Sequence, residues 1–381
     1  MSDCDRPRVL LVCPSGQIGG MERVVVRLAR GLGMRGWDAS VAFAPDESKG
    51  VLLRWATLQG VSAAAHSPAI RTLDDSHDTR AMRELVTLVR QHQPDIVNLH
   101  YPGAHMSMKD VLAVRFGARV PCVVNTHLPV PWAEAGRRKK VLTRVAGAFA
   151  AKVAVHSNSL KSVLEEAGIR SSKVIVIPNG AADAQDAPVP YRAREAFGIP
   201  HGAFVVGCLA RLAPIKRQAV LIEAARQMGE SGSDVFLLFG GDGPDRDALE
   251  RLAAGTIPGR YRFLGQVEDS PDQFFAATDV LALSSEREGM PMVIVEAAVR
   301  GVPAVVTNVG GVRELIVDGE TGLLVPPETP TALAAALLRI ERDRVLLASL
   351  GAAAKQRAMA EFSEELMTDR YDRLFRECLK R

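Results

Sequence analysis

Glu288 and Glu296 are separated by seven residues and lie on either side of Pro291, after the strand-like run Val280–Leu283. Proline is favoured at the first position of a helix because its missing N–H would be unpaired there, so a helix is predicted to begin near Pro291. The free N–H groups of a helix start bind phosphate. Carboxylates oppose a phosphate, and we expect these two to accept hydrogen bonds from sugar or ribose hydroxyls instead. A solvated loop glutamate and a glutamate favoured by the helix dipole explain the pair equally well.

Arg211 and Lys216 follow the predicted strand Phe204–Leu209 and precede a helix predicted from about Gln218. Arginine offers a planar fork to phosphate oxygens, and lysine offers a point charge. The two residues are therefore candidates for holding a phosphate group. Two unrelated surface cations are the alternative interpretation of the same spacing.

Gly19 and Gly20 end a loop that follows the first predicted strand, Val9–Val12. Glycine allows a backbone to approach a pyrophosphate closely. The loop lacks the G-x-G-x-x-G dinucleotide fingerprint, and the chain contains no G-x-x-x-x-G-K-[ST] sequence. A tight turn explains the two glycines equally well.

His127 follows the predicted strand Cys122–Thr126, where it could bind a hydroxyl or a phosphate. His100 and His156 also end strand-like runs, which weakens the argument for any one of the three. His127 remains a candidate for the site, with a structural histidine as the alternative.

Short apolar runs alternate with helix-like stretches along most of the chain, which predicts parallel sheets covered by helices. The alternation stops over 178–199, which we interpret as a linker, and then restarts. We therefore predict two doubly wound α/β domains, 1–184 and 185–360, followed by a helical segment, 361–381. Such sheets bind ligands beyond the carboxyl ends of their strands, and two facing sheets would share one cleft.

The composition is that of an ordinary globular protein, with 47% apolar and 24% charged residues among 381. The net charge of +3 does not suggest a nucleic-acid binder. Five scattered cysteines, the lack of a signal-like N-terminus and the lack of a long apolar run favour a cytoplasmic location. The basic run Arg137–Lys140 is interpreted either as a solvated helix face or as a contact with anionic lipid or an acidic acceptor.

Several of these segments together resemble glycosyltransferase family 4, whose members have the GT-B fold. The E-x7-E motif of the family corresponds to Glu288 and Glu296, and its R-x4-K motif corresponds to Arg211 and Lys216. Further segments match family landmarks in order and spacing: Gly19–Arg23, Val176–Gly180, Gly240–Pro244, Phe263–Gly265, Gly301–Thr307 and Thr321–Val325.

The resemblance implies a retaining glycosyltransferase with a nucleotide-sugar donor and no metal or other cofactor. It implies two Rossmann-like domains around a cleft, an acceptor-binding N-terminal domain, a donor-binding C-terminal domain, and a final helix that crosses back to the N-terminal domain. The acceptor would be a sugar, a lipid-linked glycan or a small molecule. Peripheral contact of the N-terminal domain with the inner membrane face would suit a lipid-linked acceptor.

The resemblance also gives roles to residues. Arg211 and Lys216 would hold the diphosphate, Glu296 the ribose and Glu288 the donor sugar. Gly19 and Gly20 would close over the phosphates, and His127 would lie near the donor sugar and the acceptor. The remaining expected donor contacts are Val267, near the base, and the helix start Gly289, Met290, Pro291, Met292 and Val293.

Two alternatives keep the fold and change the activity. One is a nucleotide-sugar epimerase or a phosphorylase, and the other is a subunit that binds nucleotide-sugar without catalysis. The complete E-x7-E and R-x4-K pairs favour sugar transfer.

Overall fold

The computed structural model forms two compact units. Unit 1 consists of Met1–Gly180 with Glu364–Arg381, and unit 2 is Ala181–Ser363. The residues that the structure describes are 6–14, 19–43, 51–65, 79–103, 106–127, 136–182, 190–267 and 271–380.

Unit 1 contains a seven-stranded sheet in the order β3-β2-β1-β4-β5-β6-β7, and all neighbouring strands pair in parallel. Its strands are β1 (Arg8–Cys13), β2 (Asp38–Phe43), β3 (Ser62–Ala65), β4 (Ile96–Tyr101), β5 (Cys122–Thr126), β6 (Lys152–Val155) and β7 (Val174–Val176). The central strands β1, β4 and β5 are almost entirely buried, as expected for a parallel sheet covered on both faces.

Helices connect these strands. They are α1 (Gly20–Met34), α2 (Val51–Leu58), α3 (Thr79–His92), α4 (Met108–Leu112), α5 (Arg137–Phe149) and α6 (Asn158–Glu166), and a π-helical turn, Ala113–Ala118, continues α4.

The last helix of the chain, α15 (Glu364–Leu379), belongs to unit 1 and packs against α1. Arg30 of α1 and Arg35, which caps its C-terminus, form ion pairs of 2.7 Å with Glu364 and Asp369. The indole N–H of Trp37 donates to Asp372 at 2.6 Å. These contacts fasten the end of the chain to its first helix.

Unit 2 contains a six-stranded parallel sheet in the order β10-β9-β8-β11-β12-β13. Its strands are β8 (Phe204–Leu209), β9 (Val235–Gly240), β10 (Tyr261–Phe263), β11 (Val280–Leu283), β12 (Ala304–Thr307) and β13 (Gly322–Val325). Its helices are α7 (Pro190–Ala196), α8 (Gln218–Glu230), α9 (Arg246–Thr256), α10 (Asp272–Ala277), α11 (Met292–Val299), α12 (Val312–Leu315), α13 (Pro330–Arg342) and α14 (Arg344–Glu361), with a 3-10 turn at Pro214–Lys216.

The structure differs from the sequence-based expectation in the linker. The boundary lies between Gly180 and Ala181 rather than after residue 184. Residues 183–189 of the expected linker lie outside the described residues, and its last part forms helix α7 of unit 2. Pro190 is the first residue of α7, a position where its missing N–H costs nothing.

Candidate active site

Both sheets reverse their strand order at one point. In unit 2 the reversal lies between β8 and β11, and in unit 1 it lies between β1 and β4. Ligands of doubly wound sheets bind at this point, beyond the carboxyl ends of the strands. In unit 2, β8 leads into Arg211 and Lys216, and β11 leads into Glu288. The R-x4-K motif and the first glutamate of the E-x7-E motif therefore both follow the strands at which the order reverses.

Lys216 and Glu288 form the centre of the arrangement in unit 2. The Lys216 ammonium lies 2.7 Å from Oε1 of Glu288. The hydroxyl of Ser285 donates to the same oxygen at 2.6 Å. Glu288 is only 3% exposed, so an ion pair and a hydrogen bond balance the cost of burying its charge.

The backbone of the two loops is also joined. The Ser284 hydroxyl donates to the carbonyl oxygens of Lys216 at 3.1 Å and Arg217 at 2.8 Å. The N–H of Glu286 donates to the carbonyl of Ile215 at 2.9 Å. These bonds fix the distance between the loop after β8 and the loop after β11.

A third loop, Gly240–Pro244 after β9, supports the loop that carries Arg211. Leu212 donates its N–H to the carbonyl of Asp242 at 2.9 Å. A Cβ atom at Gly241 or Gly243 would overlap the carbonyl oxygens of Ala210 and Leu212, and both glycines have positive φ. Only glycine allows this close approach of two backbones.

Arg211 itself is exposed, so its guanidinium can reach a ligand. Its carbonyl accepts a hydrogen bond of 2.9 Å from the Gln218 side chain, which anchors the backbone while the side chain remains accessible.

Helix α11 begins at Met292, with Pro291 as its N-cap in extended conformation. Pro291 therefore stands one position before the first helical residue, whereas the sequence predicted it at the first helical position. No side chain among the described residues caps this helix start, which leaves its N–H groups to a ligand. Glu296 lies in the middle of α11 and is buried.

The other expected donor contacts are the residues around this helix start and Val267. Gly289, Met290 and Met292 are buried, and Val293 is half-buried. Val267 is half-buried and lies beside Gly240, at the end of β9, while residues 268–270 lie outside the described residues.

Gly310 lies directly against the backbone of Glu288. Its φ is +54°, and a Cβ atom there would overlap the carbonyl oxygen of Glu288. The position after β12 therefore requires glycine both for its backbone conformation and for the close approach of the loop.

In unit 1, Gly19 is the N-cap of α1 in extended conformation, and Gly20 is exposed at the first position of the helix. Residues 15–18 of the glycine loop lie outside the described residues. Glu22 in the first turn of α1 is buried, and its carboxylate lies where a Cβ atom at Gly19 would be, so this position also favours glycine.

His127 lies against the two other histidines that end strands. Its Nε2 is 3.1 Å from Nδ1 of His100, and its ring centroid is 4.4 Å from that of His156. His156 Nδ1 lies 3.1 Å from the carbonyl oxygen of Ile177. His100 and His156 are buried, whereas His127 retains partial exposure.

The cluster is held in its neutral form. Burial lowers the pKa of His100 to about 3, with a further contribution from nearby His156. Burial also lowers the pKa of His156 to about 4. The pKa of His127 is well below its ordinary value, mainly through burial and then through the other two histidines. A neutral imidazole binds a ligand through one donor and one acceptor.

The structure thus brings Lys216 and Glu288 together in unit 2, with Arg211 exposed on the same loop as Lys216, and brings the three histidines together in unit 1. The contact of His127 with His100 and His156 was missed from the sequence. The signal was present, because three parallel strands of one sheet each lead into a histidine, but the strand order is needed to make them neighbours.

Two family models match the chain. The model described as glycosyl transferases group 1 matches residues 192–357, and the model described as Glycosyltransferase Family 4 matches residues 18–185. The chain belongs to glycosyltransferase family 4. The R-x4-K and E-x7-E residues of this glycosyltransferase both fall within the first of these matches.

Relatives of this glycosyltransferase are themselves named as glycosyltransferases. It is 28% identical to the UDP-Gal:alpha-D-GlcNAc-diphosphoundecaprenol alpha-1,3-galactosyltransferase of Escherichia coli, over 71% of this chain and 72% of the relative. It is 34% identical to the lipopolysaccharide core biosynthesis glycosyltransferase LpsE of Rhizobium meliloti, over 47% of this chain and 51% of the relative. The second match therefore spans about half of that relative.

The fold of this glycosyltransferase is GT-B, with two Rossmann-like parallel-sheet domains. It superimposes with a TM-score of 0.83 on the structure of Anabaena Alr3699/HepE in complex with UDP and glucose. The sequences are 22% identical, and the match covers 98% of this chain and 100% of the other.

The basic run Arg137–Lys140 forms the first turn of α5 in this glycosyltransferase, and its first three residues are exposed. In the described part of the chain, every helix is too short or too polar to cross a membrane.

Proposed function

We propose that this glycosyltransferase moves a sugar from a nucleoside diphosphate donor to an acceptor hydroxyl, with retention at the anomeric carbon and without a metal ion. The observation that carries the proposal is the ion pair of Lys216 with Glu288 just before the uncapped start of α11, with Arg211 exposed on the same loop as Lys216. Cations and free N–H donors suit a diphosphate leaving group, and a carboxylate suits the hydroxyls of a sugar ring, which supports this proposal.

The leaving diphosphate gains negative charge as the glycosidic bond breaks. Arg211, Lys216 and the first N–H groups of α11 stabilise that charge without rearranging, because the loops that carry them are joined by hydrogen bonds. Glu288 receives hydrogen bonds from hydroxyls of the donor sugar. Glu296 receives them from the ribose, with Val267 near the base and Gly289, Met290, Pro291, Met292 and Val293 lining the donor.

The acceptor is assigned to unit 1, with His127, Gly19 and Gly20 in contact with the substrates. The named acceptor of the Escherichia coli relative is a diphosphoundecaprenol lipid, which supports a lipid-linked glycan as the acceptor class.

A lipid-linked acceptor requires the enzyme to reach a membrane surface. On α5, Arg137, Arg138 and Lys139 are exposed, together with Val141 at 55% and Phe149 at 43%. Cations beside exposed apolar side chains bind anionic lipid surfaces, so α5 is the proposed contact with a membrane. The charge-removing variant Arg138→Gln/Lys139→Gln should lower co-sedimentation with phosphatidylglycerol vesicles, while exposed Arg251→Gln/Arg262→Gln in unit 2 should not.

The decisive experiment is a turnover assay with UDP-hexoses and GDP-hexoses in the presence of excess chelator. Nucleoside diphosphate should be released much faster with acceptor than without, and the anomeric configuration of the product, read by NMR, should match that of the donor. An inverted product would refute retention, and activity that returns only with Mg²⁺ or Mn²⁺ would refute the metal-free mechanism.

The same assay separates the alternatives. A change of the donor sugar without any acceptor would identify an epimerase. Tight donor binding with no turnover on any sugar or lipid-linked acceptor would identify a binding subunit.

A further inference from the structure

His100, His127 and His156 lie at the carboxyl ends of the neighbouring parallel strands β4, β5 and β6, and their imidazole rings form one cluster. In the register of the sheet, His100 pairs with Asn125, and Thr126 pairs with Val155. His127 and His156 each follow a paired residue by one position, so they stand side by side beyond the ends of β5 and β6. The histidine cluster is therefore a product of the sheet register and not of a loop conformation.

The positions of the ring protons follow from the hydrogen-bond partners. Nδ1 of His156 faces a carbonyl oxygen, which only accepts, so His156 carries its proton on Nδ1. His156 therefore meets the ring of His127 through a tilted stacking contact and has no proton to give to it.

The remaining contact, between His100 Nδ1 and His127 Nε2 at 3.1 Å, needs one donor and one acceptor, because both rings are neutral. Nε2 of His100 is buried, and no described residue offers it a partner. If His127 were the donor, His100 would carry its proton on this unpartnered Nε2. A buried N–H without a partner is rarer than a buried lone pair without one, so His100 is the donor.

We infer that His100 is a positioning residue: its Nδ1–H donates to Nε2 of His127 and thereby fixes the proton of His127 on Nδ1. His127 then presents an N–H donor to a hydroxyl or phosphate oxygen of the substrate and cannot act there as a general base. The substrate contact rests on the proposed function, whereas the position of the proton does not.

Two further observations support this arrangement. Burial, which lowers the pKa of each ring, keeps all three neutral, so each ring carries a single proton and its position on one of the two nitrogens decides the donor. His127 is also the least buried residue of the cluster.

The proton position is measured directly by ¹⁵N NMR of histidine-labelled full-length protein, without substrate and with excess chelator so that no metal occupies a ring nitrogen. His127→Asn assigns the signals. We expect His127 to carry its proton on Nδ1. A proton on Nε2 of His127 would overturn the inference, whatever the activity of the enzyme.

Variants of His100 test the functional consequence. Asparagine places an amide N–H near the position of the histidine Nδ1, whereas leucine does not. In His100→Leu, the proton of His127 should no longer be fixed on Nδ1, and kcat/KM should fall about tenfold, the effect of losing one hydrogen bond. In His100→Asn, the proton position of His127 and kcat/KM should both stay close to the wild type. Equal losses in the two variants would indicate a merely structural role and would overturn the inference.

His156→Asn is the matched control for the NMR measurement. It removes an equally buried ring that stacks on His127 but keeps an N–H near the Ile177 carbonyl. The tautomer of His127 should not change in this variant. If it does, His156 and not His100 determines the proton position. If the tautomer is confirmed but no sugar is transferred, the proposed function fails and the inference about the proton stands.

Discussion

Oε1 of Glu288 lies 2.7 Å from the ammonium of Lys216, although the two residues are 72 positions apart in the chain. Lys216 is the last residue of the R-x4-K motif and Glu288 the first of the E-x7-E motif, so the two motifs form one ion-paired unit. The Ser285 hydroxyl also uses Oε1. Neither bond engages Oε2, which we propose as the acceptor for a sugar hydroxyl.

Glu288→Gln should reduce turnover much more than donor binding. A sugar ring becomes cationic as its glycosidic bond breaks, and a nearby carboxylate stabilises that charge only in the transition state. Glutamine keeps the size and one acceptor oxygen but removes the charge, so kcat should fall by about 10²–10³-fold. Glu296→Gln is the comparison, since ribose contacts exist in the ground state too and their loss should raise KM. A rise in KM alone for Glu288→Gln would refute its assigned role.

Arg211→Ala and Lys216→Ala should both weaken binding of a nucleoside diphosphate by about 1.5–3 kcal/mol, the value of a charge-assisted hydrogen bond. They should differ in stability. Arg211 is exposed, so its loss should hardly change the free energy of unfolding. Loss of Lys216 leaves the buried Glu288 charge without its ion pair and should cost about 1–3 kcal/mol.

Titration calorimetry and urea unfolding measure the two quantities. Unchanged affinity in both variants would remove these cations from the site. Equal stabilities would show that the Lys216–Glu288 pair contributes nothing to folding.

Gly310→Ala should abolish most activity because its Cβ would overlap the Glu288 carbonyl and displace the loop. Gly319→Ala is a matched control in the same unit: its φ is also positive, at +79°, but no atom lies near its Cβ position. The control should lose only about 1 kcal/mol of stability through backbone strain and keep its activity. Similar kcat/KM values for the two variants would show that the approach of Gly310 to Glu288 is unimportant.

The histidine cluster should make unit 1 sensitive to acid. Below pH 6.5 the unfolded chain protonates these rings, whereas the folded chain keeps His100 and His156 neutral down to pKa values of about 3 and 4. The unfolded state therefore binds more protons, and the free energy of unfolding should fall as the pH falls from about 6.5 to 4.

His100→Asn should reduce this loss between pH 7 and pH 5 by about 2 kcal/mol, since one proton is worth about 1.4 kcal/mol per pH unit. Tryptophan fluorescence follows unit 1 selectively, because Trp37, Trp55 and Trp132 all precede residue 180. An identical pH dependence in the variant and the wild type would contradict the low pKa of His100.

Much of the site could be predicted from sequence because each motif is local. Pro291 and Gly301 bound the helix that carries Glu296, and in the structure α11 ends before Gly301, whose φ is +74°. The bond from Lys216 to Glu288 could not be predicted, since it depends on β8 and β11 being neighbours in the sheet.

The missed elements are short and lack a strong local pattern. Strand β3, Ser62–Ala65, consists of a serine and three alanines, which have low strand propensity, and its place in the sheet comes from pairing with β2. Helix α7 falls within the predicted linker, because a seven-residue helix beside two prolines gives too little periodicity to indicate a helix. Contacts with α10 stabilise it in the folded chain.

Because α15 belongs to unit 1, all of unit 2 is an insertion between Gly180 and Glu364. A ribosome therefore completes the second unit before it has made the segment that covers Trp37 and whose Tyr371 hydroxyl accepts a hydrogen bond from the Asn125 amide. The half of the enzyme that is synthesised first is thus the half that finishes folding last, and a chain that terminates early would contain a complete unit 2 and an incomplete unit 1.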